Sequence, residues 1–114
     1  MNEFAQFIDY LQSEQESRLN QADALTADHR LDEANMAKIR ANVFGIFATV
    51  SQKVGVSLIQ EQIETIPEAW RESLSAAERY GDHTKAMIER IKLEAIAEIG
   101  ETYARLMEGS IHGR

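Results

Sequence analysis

The sequence contains no cysteine. That removes disulfide staples, thiol nucleophiles and thiolate metal sites together, and it suits a reducing compartment. Proline occurs once and glycine six times in 114 residues, so the chain has few breaks. No β-branched run alternates with polar residues, and there is no Asn-Gly or Asp-Gly pair; strand and hairpin signals are missing. The longest apolar stretch, Val43 to Phe47 continued by Ala48, Thr49 and Val50, is far shorter than a membrane span. Positive charge is also scarce. Twelve Lys and Arg face 19 Asp and Glu, for a net charge of −7, and the basic residues form no run. Such a surface repels phosphate backbones and anionic lipid, so neither nucleic acid nor a membrane is expected as a partner. Residues 1–11 carry Glu3 and Asp9 but no Lys or Arg, unlike the basic start of a secretory signal. A cytoplasmic protein is expected.

What the sequence does have is helix periodicity and 44% apolar residues. A chain of this length fits one domain and buries roughly two-thirds of its unfolded surface. The expected fold is all-α: a helical bundle of three long helices plus a short or Pro-kinked helical segment. Residues 1–109 read as a single helical domain, and 110–114 as a frayed C-terminal tail.

The first helix is expected from Asn2, its N-cap, to about Ala24. Phe4, Phe7, Ile8 and Leu11 form its apolar stripe. The stripe is then interrupted by Glu14, Gln15 and Arg18, which either face water or meet partners inside. The second helix is expected from Thr26 or Asp28 to Lys53. Met36, Ile39, Val43, Ile46 and Val50 follow a 3-4-3-4 spacing like a coiled-coil seam, with Phe44 and Phe47 beside it. Ser57 with Gln60, and Thr65 with Glu68, read as capping boxes around Pro67. Residues 58–80 are thus two short helices or one kinked helix, with Trp70, Leu74, Ala77 and Tyr80 on the buried face. Gly81 ends that segment, and Asp82 caps a last helix running from His83 to about Glu108. Ile88, Ile91, Ala95, Ile99 and Leu106 form one stripe on it, and Leu93, Ile96, Gly100, Tyr103 and Met107 another.

The most unusual polar constellation lies on the second helix. Asp32, Asn35 and Asn42 share a stripe with Ile39, and His29 sits one turn before. Asparagine is a poor interior helix residue because its side chain competes for backbone groups. The stripe is therefore a register device at a seam, a pair of surface asparagines, or a polar pocket for a small ligand built from His29, Asp32, Asn35 and Asn42. The run Asp32-Glu33-Ala34-Asn35, with Lys38-Ile39-Arg40-Ala41-Asn42-Val43-Phe44, resembles a stretch found in small, uncharacterised helical proteins of Gram-positive bacteria. The likeness extends to Ile91-Lys92-Leu93-Glu94. It implies a bacterial cytosolic protein and carries no activity with it.

Metal chemistry has little support. A di-iron bundle needs Glu three residues before His, and those positions hold Thr26, Tyr80 and Gly109. Glu61 with Glu64, and Glu98 with Glu101, are carboxylate pairs that read as a solvated acidic face with ion pairs such as Arg90–Glu94 and Glu101–Arg105. No metal site and no cofactor are expected. No serine lies in a nucleophile-elbow sequence and no Gly-rich phosphate loop occurs. The reading favours a non-enzymatic helical interaction protein that works as a homodimer, using the second or last helix, with an unidentified protein partner as a further option. The alternative is a small-ligand or metal-binding helical bundle that uses the polar stripe and is open to catalysis.

Overall fold

A computed structural model describes residues 2–112, and the described residues form helices and turns without a strand. The order is α1 (Glu3–Ala27), α2 (Leu31–Val54), α3 (Val56–Thr65), α4 (Pro67–Arg79) and α5 (His83–His112). The all-α expectation is therefore met. The last helix departs from it at one end: α5 runs through Gly109 to His112 instead of stopping near Glu108. Gly113 and Arg114, the end of the expected tail, lie outside the described residues.

Local chemistry sets most helix starts and stops. The Asn2 side chain accepts the Ala5 N–H at 2.7 Å, the N-cap bond that this residue type makes best. Between α1 and α2 the chain turns at His29, which adopts φ 61°, so α2 begins at Leu31, later than expected. Gly81 (φ 72°) closes α4, with the Asp82 N–H bonded to the Ala77 carbonyl at 2.8 Å. Asp82 in turn accepts the Lys85 N–H at 3.1 Å and caps α5.

Both capping boxes around Pro67 are absent. Ser57 lies inside α3, which starts after Gly55 with no side-chain cap, and Thr65 is the last residue of α3. Ile66 keeps helical angles (φ −56°, ψ −43°) despite preceding a proline, which disfavours them. Segments α3 and α4 therefore form one rod, bent where Pro67 lacks its N–H. Tyr80 does not continue the buried face. It is 80% exposed, because the chain is already leaving α4 there to enter the Gly81 turn.

All five helices meet in one apolar cluster around Phe7, Leu11, Val43, Phe44, Phe47, Ile59, Ile99 and Tyr103. Phe7 meets Tyr103 edge-on at 5.2 Å between ring centres, and Tyr10 meets Phe44 likewise at 5.9 Å, a favoured aromatic geometry. The polar interruption of α1 has partners. Arg18 pairs with Glu14 and with Glu98 of α5, each at 3.3 Å. Its guanidinium also lies 5.4 Å from the centre of the Phe44 ring, so it roofs the core as well as bridging two helices.

The expected seam of α2 is displaced. Val43 is buried, but Ile46 is 39% exposed, and Met36, Ile39 and Val50 are only partly covered. The line that is buried comprises Ala34, Ala37, Ala41, Phe44, Ala48 and Ser51, again at 3-4-3-4-3 spacing. The Gln15 side chain of α1 occupies the space that a Cβ on Gly45 would need. Gly100, by contrast, has only ordinary contact: a Cβ there would lie 3.5 Å from Ile63 Cγ2. Gly100→Ala is thus expected to stabilise the fold by about 0.8 kcal/mol through helix propensity, read as a higher urea midpoint with an unchanged slope. A lower midpoint would show that the site tolerates no methyl group.

Candidate functional site

Two surface grooves flank the outward ridge of α2. Along that ridge Asn35, Asn42 and Thr49 recur every seven residues, all exposed. Asn35 stands on the wall of one groove, and Asn42 and Thr49 stand on the wall of the other. The four residues proposed as a ligand pocket are therefore not brought together. Asp32 and Asn35 share a groove, Asn42 lines its neighbour, and His29 sits exposed in the α1–α2 turn on neither wall.

The first groove runs between α1 and α2. Its walls are Gln12 and Gln15 from α1 and Asn42, Gly45, Ile46, Ala48, Thr49, Val50 and Gln52 from α2. None of these side chains is charged, although 27% of the chain is. Farther along α1, the exposed Leu19 lies in a continuation lined by Gln12, Gln15, Glu16, Asn20 and Asp23.

The second groove, about 300 Å³ in volume, lies between the N-terminal halves of α2 and α5. These two helices run side by side in the same direction, tied farther along by Arg40 and Glu94 at 3.5 Å. Asp32, Asn35 and Thr84 stand at one end. Met36, Met87 and Ile88 fill the middle, and Ile39 and Ile91 close the other end. The groove is thus polar where the helices begin and apolar two turns in.

A third cluster is interior. Glu89 of α5 is 5% exposed. Its Oε1 accepts from Lys92 Nζ at 3.2 Å, and its Oε2 is buried without a hydrogen-bond partner among the described residues. The Lys92 ammonium also lies 5.8 Å from the centre of the Trp70 ring of α4. No sequence pattern singled out Glu89. The available signal was a lone acid between Ala86 and Leu93, within a helix already judged apolar on two sides.

Among the described residues, no three His, Cys, Asp or Glu side chains gather to hold a metal ion. Glu64 accepts from Gln60 at 2.9 Å, and Glu98 is occupied with Arg18. The expected pairs along α5 are replaced by others. Arg90 reaches Glu78 of α4 at 3.3 Å, Glu94 takes Arg40 of α2, and Arg105 donates to Thr102. Burial pushes the Tyr10 and Tyr103 hydroxyls above the ordinary phenol range, with the Thr102 side chain opposing the shift at Tyr10. That direction moves both away from use as a base near neutral pH. No described helix is long and apolar enough to cross a membrane. Comparison with protein-family models, curated proteins and solved structures finds no match.

Proposed function

We propose that this chain is a non-enzymatic helical interaction protein that acts as a homodimer, pairing through the α1–α2 face. The observation that carries the reading is the uncharged wall of the first groove. A chain of net charge −7 repels its own copy over most of its surface. A second copy is best received where charge is missing, and the cores of protein interfaces are depleted in charge for this reason. Amides add self-complementarity. Gln15, Asn42 and Gln52 each both donate and accept, so a side chain can pair with its own symmetry mate across a two-fold axis, the commonest symmetry of homo-oligomers. Ile46, 39% exposed, supplies an apolar anchor on the same face. The resemblance of residues 32–44 adds a bacterial, cytosolic setting to the proposal.

Sedimentation equilibrium tests it. The expected mass at micromolar concentration is twice the 12.9 kDa of one chain. Thr49→Glu, which sets like charges against each other across the axis, should return the mass to one chain without changing the helical circular dichroism spectrum. A wild-type mass that stays near 12.9 kDa at high concentration overturns the reading.

A further inference from the structure

The α2–α5 groove lies on the other side of the α2 ridge from the proposed dimer face, and its walls are graded where the first groove is uniform. We infer that it is a binding site for a small cationic amphiphile: an ammonium head at Asp32, Asn35 and Thr84, and an apolar tail laid toward Ile39 and Ile91. Three observations lead there.

The first is the gradient itself. All the hydrogen-bonding side chains of the groove lie at the helix starts, and only aliphatic and thioether groups lie beyond them. From Asp32 to Ile39 is seven residues, about 10 Å along a helix. That length suits a short alkyl or aryl tail and offers a docked helix fewer than two turns of contact. The second is size: at about 300 Å³ the groove is at the small end of ligand pockets. Met87, 45% exposed, stands at its mouth, and methionine adapts readily to the shape of a ligand.

The third is charge. Asp32 is the one charged residue in the walls, and among the described residues it forms no ion pair; neighbouring Glu33 is already paired with Arg30. The N-termini of α2 and α5 each contribute about half a positive charge. Asp82, already capping α5, answers one, and the full carboxylate charge of Asp32 exceeds the other. Within the walls, the head of the ligand therefore meets one carboxylate and the acceptor oxygens of Asn35 and Thr84.

The test uses hexyltrimethylammonium and hexyl sulfate, both below their critical micelle concentrations, titrated into the full chain while backbone amide resonances are followed. The cation is expected to shift Asp32, Thr84, Met87 and Ile91 and to bind about threefold more tightly than the sulfate, the range of an exposed ion pair. Asp32→Asn should bring the ratio to about one, whereas Asp28→Asn, off the groove, leaves it unchanged. Met87→Lys, at a half-exposed position that leaves the fold intact, should abolish binding of the cation. Equal or tighter binding of the sulfate, shifts centred on the α1–α2 groove, or an unchanged ratio in Asp32→Asn each overturn the inference. So does a concentration-dependent shift of the same resonances without any probe, since a second copy would then fill the groove. The outcomes with the two probes leave the mass measurement above untouched, and self-association at this groove would keep the doubled mass while moving the contact away from the α1–α2 face, so the two readings fail distinguishably.

Discussion

Val43→Asp is expected to abolish the cooperative unfolding transition, whereas Ile46→Asp, three residues away, leaves it nearly intact. Val43 is 1% exposed and belongs to the apolar cluster with Phe44 and Phe47. A carboxylate there has no partner and no water, at a cost of about 4 kcal/mol or more. Small domains hold only about 5–15 kcal/mol in total, so the variant is left marginal or unfolded. Ile46 is 39% exposed on the groove wall, where a surface exchange costs about 0.5–1 kcal/mol. Urea melts followed by circular dichroism, at a concentration low enough that association does not contribute, compare the two directly. Equal midpoints would mean that the burial of α2 is misassigned. The same Ile46 variant is expected to weaken dimerisation, since it places a charge on the proposed contact face.

The second large effect concerns Glu89 and Lys92. Lys92→Met removes the one hydrogen-bond partner of a carboxylate whose other oxygen already has none. Breaking a buried pair from one side is costly, and here about 2–3 kcal/mol is expected, because the Lys92 side chain is itself 30% exposed and the pair is partly solvated. Truncating both members is different. Glu89→Leu with Lys92→Met leaves apolar groups against Trp70 and should recover most of the loss, since a buried ion pair replaced by packed side chains is often neutral. The four proteins form a double-mutant cycle with an expected coupling above 1 kcal/mol. Additive effects would mean that Glu89 reaches water and does not depend on Lys92.

The α2 seam illustrates what could be read from residues and what could not. The 3-4 spacing, the apolar cluster at Val43, Phe44 and Phe47, and the turns at Gly55 and Gly81 follow from periodicity and backbone freedom, and the structure keeps them. The choice of seam did not follow. Two 3-4 lines overlap on α2, one of large residues and one of alanines. Hydrophobicity alone favours the large ones, but close helix approach favours the small ones, and here the small ones are buried. The same effect explains the polar stripe. With the alanine line buried, Asn35 and Asn42 face outward and line two different grooves, and His29 is taken up by the turn. The capping boxes at Ser57 and Thr65 failed for a different reason. At Thr65, Ile66 keeps its helical angles, so no helix end is there to need a cap; at Ser57, the helix already starts after Gly55, which puts the serine inside the first turn.

The contacts between α1 and α5 have a consequence for synthesis. Arg18 and Glu98 are 80 residues apart in the chain, and Phe7 waits still longer for Tyr103. Chains emerge at about 5–20 residues per second, so Phe7, Leu11 and Phe44 stay uncovered for several seconds until α5 delivers Ala95, Ile99 and Tyr103. During that interval the nascent α1–α2 hairpin presents three apolar side chains to water or to a chaperone. Ribosome-bound chains stalled before residue 95 would carry this surface open, and chains followed by a linker long enough to bring α5 out of the exit tunnel would have closed it.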